Sequence, residues 1–156
     1  MDKEWFKQLK CFGNLKQAEW DELIKIATEE KFIEGDIVFS QGEVSTELYI
    51  IEKGRVEIRI KIAPQLADVV VYTAKDNDIF GEFAFISTGP RSATASCVEK
   101  TTVVKIKKEE FEDLSKRFPN IGLNFYKNIA VSLTDKLRQT NQFLRESLAR
   151  ACGLTV

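Results

Sequence analysis

The sequence predicts a mainly β fold, a barrel or sandwich of short strands with helices before and after it, on two observations. Between Phe32 and Ile106, short β-rich runs alternate with turn residues at Gly35-Asp36, Gly42-Glu43, Lys53-Gly54, Asp76-Asn77-Asp78 and Gly89-Pro90, the punctuation of a compact all-β unit. On either side of that stretch the apolar period changes to that of a helix.

The first thirty residues read as two short helices. Trp5, Phe6 and Leu9 share one face, and after a break at Gly13-Asn14, Trp20, Leu23, Ile24 and Ala27 share another. The barrel is expected over residues 31–108. Its strongest strands are Leu48–Ile51, Val56–Ile62 with apolar and charged residues alternating, Val69–Tyr72 and Val103–Ile106. The loop from Ala63 to Asp68 reads as an ordinary hairpin connection. Helix returns over residues 109–152: Phe111 and Leu114 lie in a short segment that stops at Pro119, and a long helix follows. In it Ile129, Leu133, Leu137, Leu144 and Leu148 form a stripe suited to packing along a partner helix or onto the barrel. Thr140 and Asn141 interrupt this stripe, as a polar layer or an exposed edge.

With 156 residues, 44% of them hydrophobic, the chain reads as one domain able to bury its own core. A formal net charge of −1 supplies no overall field towards nucleic acid or an anionic membrane. Residues 116–156 nevertheless carry seven basic and two acidic side chains, +5 against −6 for the remainder. Three scattered cysteines make neither a disulfide framework nor a metal knuckle, and a reducing cytoplasm is the expected setting. The N-terminus has no apolar run of a signal peptide, and nothing approaches the ~20 apolar residues of a membrane span. The absence of histidine removes Ser-His-Asp and Cys-His hydrolysis and the imidazole ligands of a metal-dependent barrel enzyme. Neither catalytic nor metal-binding residues are expected, and the chain reads as a non-enzyme.

The informative segment runs from Asp78 to Thr94. Small residues Gly81 and Ala84 flank Glu82, and Arg91 follows nine positions later. A phosphate diester needs donors that approach closely, and a short helical turn offers free N–H groups where side chains leave room. Arg91 can grip phosphate oxygens with its planar fork. Glu82, itself an anion, suits a sugar hydroxyl instead. The aromatic side chains Phe80, Phe83 and Phe85 read as core, and Cys97 as an inert core thiol.

Phe80-Gly81-Glu82-Phe83-Ala84-Phe85, followed by Pro90-Arg91-Ser92-Ala93-Thr94, resembles the phosphate-binding cassette of the cyclic nucleotide-binding domain family, shared by catabolite activator-type regulators and regulatory subunits of cAMP-dependent kinase. The upstream run Gly35–Glu43, with Leu48–Ile51 and Lys53-Gly54, resembles the first half of the same barrel; together the similarity covers roughly residues 6–145. The resemblance implies a jelly-roll-like, double-stranded antiparallel β-helix with a cassette over residues 80–94, and cAMP or cGMP as ligand, cAMP slightly favoured. By it, Glu82 corresponds to the carboxylate on the ribose 2′-hydroxyl, with the Gly81 backbone beside it, and Arg91 to the arginine on the cyclic phosphate. Phe83 and Ala84 belong to the same turn. Ala84 and Ser92 would give backbone N–H groups, the Ser92 hydroxyl reaching the phosphate or a guanine amino group, and Ile58 and Val71 would line base and ribose. A residue of the long helix covers the base in the family, and Thr140 and Asn141 are the expected candidates. Where the family usually has Gly-Asp before the cassette, this chain has Asn77-Asp78; asparagine tolerates the left-handed backbone such a turn needs.

The expected partners are the nucleotide, a second copy joined through the long helix, and a regulated protein. DNA binding by the basic C-terminal helix has only weak support, and too few residues follow that helix for a helix-turn-helix. A natural stand-alone chain and a fragment of a longer protein are both open readings, and Met1 and the tail favour the first. The competing expectations are a module of the same fold with an empty pocket or another effector, and the sensor part of a transcription regulator. Neither Arg91 nor Glu82 is expected to hold the fold together.

Overall fold

The computed structural model describes residues 1–153; the last three residues of the tail lie outside the described residues. Among the described residues, eight strands and five helices follow one another as α1 (Lys3–Phe6), a 3₁₀ turn (Lys10–Phe12), α2 (Gln17–Lys25), β1 (Ala27–Phe32), β2 (Ile37–Phe39), β3 (Leu48–Lys53), β4 (Val56–Ile60), β5 (Val69–Ala74), β6 (Ile79–Phe80), α3 (Glu82–Ser87), β7 (Thr94–Cys97), β8 (Thr101–Ile106), α4 (Lys108–Arg117) and α5 (Pro119–Ala151). The strands form two antiparallel sheets, β1-β8-β3-β6 and β2-β7-β4-β5. Phe39, Tyr49, Ile51, Val56, Ala74, Phe80, Ala95, Cys97 and Val103 fill the space between them. The arrangement is the expected jelly-roll-like one, with two facing sheets and no closed ring of strands.

The difference between the strand patterns follows from what each sheet faces. In β3 all of Leu48, Tyr49, Ile50 and Ile51 are buried. Tyr49 and Ile51 point into the sandwich, while Leu48 and Ile50 join a second core of helix residues. A strand covered on both faces reads as a continuous apolar run. By contrast β4 has one wet face, and its Val56-Glu57-Ile58-Arg59-Ile60 alternates, with Glu57 and Arg59 paired on the outside.

The second core gathers Phe6, Phe12, Trp20, Leu23, Phe85, Phe111, Leu114, Ile121, Phe125 and Ile129 against the outer face of β3 and β8. Phe12 stacks on Phe125 at 5.3 Å, so the N-terminal segment and α5 clasp each other. Asn120 of α5 adds a hydrogen bond to Glu19 of α2 at 3.0 Å.

Two boundaries differ from the sequence reading. Strand β1 begins at Ala27 rather than after residue 30, because its whole length pairs with β8, from Ala27 opposite Ile106 to Phe32 opposite Thr101. The first predicted helix shrinks to one turn plus a 3₁₀ turn, since Phe6, Leu9, Cys11 and Phe12 all have to point inwards. Pro119 ends one helix and starts the next: α4 stops at Arg117 and α5 begins at Pro119, where a missing N–H costs nothing.

Candidate functional site

The segment 80–94 turns on Gly81. It caps α3 with φ 79°, a left-handed conformation, and a Cβ there would stand 2.8 Å from Nη1 of Arg91 and 3.0 Å from the Glu47 carbonyl. Glycine is needed both for the backbone and for the room. The N–H groups that follow open the first turn of α3, where no earlier carbonyl of the helix can accept them. Ala84 is buried and small, Phe80 and Phe85 are 1% exposed, and Phe83 is 53% exposed. Phe83 therefore departs from the expected core role: the inward face of this single helical turn is taken by Ala84 and Phe85. Ser92 is exposed beside Arg91.

Arg91 is 2% exposed. Its Nε donates to Ser45 Oγ at 2.8 Å, Nη1 to the carbonyls of Glu47 at 2.9 Å and Gly81 at 3.0 Å, and Nη2 to the Glu47 carboxylate at 3.2 Å. The guanidinium lies 4.1 Å from the centre of the Phe39 ring. Four of its five N–H groups are thus engaged within the protein, leaving one on Nη2. Burial lowers its pKa, and the neighbouring Tyr49 together with the carboxylates of Glu47 and Glu43 works the other way. The backbone on either side is fixed too: Gly42 N–H donates to the Arg91 carbonyl at 2.8 Å, and Arg91 N–H to the Glu43 carbonyl at 2.9 Å. Hydrogen bonds from the Ser40 N–H and the Ser45 hydroxyl, then the Arg91 charge, hold the Glu43 carboxyl below the usual glutamate value. The glycine-marked run and the segment around Arg91, far apart in sequence, meet here. This corrects the expectation that Arg91 is free of structural duty: a guanidinium buried this deeply must satisfy its donors inside the protein.

Glu82 is 6% exposed and is held differently. Its Oε1 accepts from Nζ of Lys136, on α5, at 2.8 Å. The same ammonium donates to the Ile79 carbonyl at 2.9 Å and lies 5.0 Å from the centre of the Tyr72 ring. Tyr72 in turn donates its hydroxyl to Asp78 Oδ2 at 2.9 Å. Burial, then that hydrogen bond and the charges of Asp78 and Glu82, push the Tyr72 hydroxyl well above its usual pKa.

Of the two expected apolar lining residues, Ile58 is partly buried and packs on the sandwich core. Opposite it stands Tyr72, because β4 and β5 shift register between Ile58 and Arg59 and skip Val71, which is 46% exposed. Thr140 and Asn141 lie on the exposed outer part of α5, where the Thr140 hydroxyl donates to the Lys136 carbonyl. The residue of α5 that reaches Glu82 is Lys136, while Phe125 packs edge-on against Phe85 at the other end of α3. Sequence reasoning missed Lys136, Tyr72, Ser45 and Glu47. For Lys136 a signal exists: it follows Ile129 and Leu133 at steps of four and three, so the inward stripe continues through it, whereas the reading followed Leu137. Asn77 has φ 71°, as its turn requires, and its Oδ1 also accepts from the Trp5 indole at 2.8 Å. Among the described residues no group of histidine, cysteine or carboxylate side chains is gathered to hold a metal ion, and no helix is long and apolar enough to cross a membrane.

Residues 29–118 match the family model described as the cyclic nucleotide-binding domain. The cyclic AMP receptor protein of Thermus thermophilus is 26% identical over 131 residues, 83% of this chain and 58% of that protein. The cAMP-dependent protein kinase regulatory subunit of Yarrowia lipolytica is 29% identical over 110 residues, 70% of this chain and 28% of that protein. The chain thus spans little more than half of the one relative and under a third of the other. A crystal structure of a cyclic nucleotide-binding domain from Methylobacillus flagellatus has the same fold, with a TM-score of 0.79 over 92% of this chain and 80% of that one at 20% identity.

Proposed function

This chain belongs to the cyclic nucleotide-binding domain family, and from that premise we propose that it binds cAMP, in preference to cGMP, as a sensor or regulatory module that carries out no chemistry of its own. The observation that carries the reading is the placement of Glu82 and Arg91 at one glycine: Arg91 donates to the carbonyl of Gly81, and the next residue is Glu82, at the start of the α3 turn. In this reading the phosphate lies over the first N–H groups of α3, at Phe83 and Ala84, and beside Ser92. It takes the remaining N–H of Arg91 or displaces the Glu47 carboxylate. Glu82 accepts from the ribose hydroxyl, and Ile58, Val71 and Tyr72 border the base. Two relatives whose names carry cAMP support the base preference.

The outer part of α5 supports a second proposal of the same kind. Leu137, Leu144 and Leu148 are 53–60% exposed, a stripe that fits a second copy of the helix, so a homodimer is the proposed assembly, with a regulated protein as the further partner. A cytoplasmic setting completes the reading.

A ligand that binds only the folded state stabilises it by about 2.7 kcal/mol at a hundredfold excess over Kd. A thermal scan with cAMP and with cGMP is the test: a rise in Tm with cAMP, larger than with cGMP, is expected. No rise with either at millimolar concentration favours a module of the same fold with another effector or none, a reading that draws on the engagement of four Arg91 donors by the protein itself.

A further inference from the structure

Lys136 is where α5 leaves the body of the protein. Ile121, Phe125 and Ile129 are buried and Leu133 packs against the same core. Beyond Lys136, the apolar residues Leu137, Phe143, Leu144 and Leu148 are all more than half exposed. The fifteen residues from 137 to the end of α5 extend about 22 Å of helix past this contact.

The contact is chemically complete. An ammonium has three donors and no acceptor. Those of Lys136 face the Glu82 carboxylate, the Ile79 carbonyl and the Tyr72 ring. Glu82, in return, has this lysine as its ion-pair partner, and its side chain is 8% exposed. The ammonium stands over the face of Tyr72, the residue opposite Ile58. It therefore borders the space proposed for ribose and base.

We propose that Lys136 is an internal rival of the sugar: its ammonium occupies the carboxylate that the ribose 2′-hydroxyl must reach, so docking of the nucleotide draws Lys136 off Glu82 and frees α5 at its last point of attachment. This rests on the reading of Glu82 as the sugar carboxylate. A neutral hydroxyl displacing an ammonium from a buried carboxylate does so at a cost, which the wild-type protein subtracts from its affinity for any ligand carrying that hydroxyl. A ligand without the hydroxyl has no cause to break the pair. Lys136 thus sets both how strongly the 2′-hydroxyl is rewarded and whether occupancy is felt by α5.

Acylation of the lysine amines of the full chain, read by mass spectrometry, tests the tether without any nucleotide. Lys136 is expected to react slowly in the wild type and at least about threefold faster in Glu82→Gln; equal rates overturn the proposal. Adding cAMP to the wild type is expected to speed labelling of Lys136, and 2′-deoxy-cAMP to leave it unchanged. Lys136→Met keeps an unbranched side chain of similar reach and removes charge and donors. It is expected to tighten cAMP about tenfold, with the 2′-deoxy analogue held to within about twofold, and Lys136→Arg is expected to return towards the wild type. Weaker cAMP binding by Lys136→Met, or equal changes for both ligands, overturns the proposal while leaving the site reading intact. No binding of either nucleotide to either protein removes the site reading, and this proposal with it, even where Glu82→Gln exposes Lys136.

Discussion

Arg91 and Glu82 are both buried charges of one short segment, but they are owned by different parts of the molecule. Arg91 is built into the sandwich: Ser45, Glu47, Gly81 and the Phe39 ring surround it, and the Gly42-Glu43 turn hydrogen-bonds its backbone. Glu82 depends on one lysine from a helix that is half free of the body. A charge held by many short-range partners within one sheet system is a fixture. A charge held by one group on a separable element can change partner, which is what a sensor needs where it meets its output.

The largest expected effect tests that contrast directly. Arg91→Ala strips donors from two carbonyls and leaves a gap against Phe39, so it is expected to cost about 3 kcal/mol in urea unfolding without ligand. Glu82→Gln, which keeps the shape and an amide near Lys136, is expected to cost under about 1 kcal/mol. Equal costs would break the comparison and make Glu82 as much a fixture as Arg91.

Gly81→Ala strikes the joint between the two sides. The substitution forces a side chain into φ 79° and sets its Cβ against the Glu47 carbonyl and Arg91. A loss of about 2 kcal/mol is expected, along with a chemical-shift change at both the Arg91 Nε–H and the Lys136 side chain. A shift confined to Arg91 would show that the joint does not transmit to the helix side.

A smaller effect, of opposite sign, comes from the end of α3. Thr88 has φ 59°, an uncommon conformation for a β-branched residue, and caps the helix. Thr88→Gly is expected to stabilise the folded protein by about 1 kcal/mol, read as a higher urea midpoint with an unchanged slope. A loss of stability instead would mean that the hydrogen bond from the Thr88 hydroxyl to the Ser87 carbonyl outweighs the backbone strain.

The architecture was legible in the sequence because each strand announces what covers it: Leu48–Ile51 is apolar throughout and lies between two cores, while Val56–Ile60 alternates and has a wet face. Glu82, Gly81 and Arg91 were legible for a similar reason, since small residues around an isolated charge need a purpose. What could not be read is where register or distance decides. The shift between β4 and β5 exchanges Val71 for Tyr72 at the position opposite Ile58, and no local pattern in Val69–Ala74 marks it. Ser45 and Glu47 look like loop residues until the fold sets Arg91 on them. Lys136 looked like one of many helix charges because a partner 54 positions away gives it meaning.

The smallest expected effect sharpens the helix side of the comparison. Asn77 occupies a left-handed turn position that glycine would fill with less strain, yet its side chain accepts the Trp5 indole N–H, tying the N-terminal helix to the turn before β6. Asp78, its neighbour, accepts the Tyr72 hydroxyl, and Tyr72 is the ring beneath Lys136. Asn77→Gly trades relief of strain against loss of one partly exposed hydrogen bond, so the net change in stability is expected to stay within about 0.5 kcal/mol. The informative readout is therefore local. Amide exchange in residues 3–6 is expected to quicken in Asn77→Gly, while the amides around Arg91 keep their protection, because no hydrogen bond of the Arg91 network passes through the turn. Faster exchange on both sides would mean that the N-terminal helix supports the whole cassette, and the division between a fixed arginine side and a movable glutamate side would have to be redrawn around Trp5.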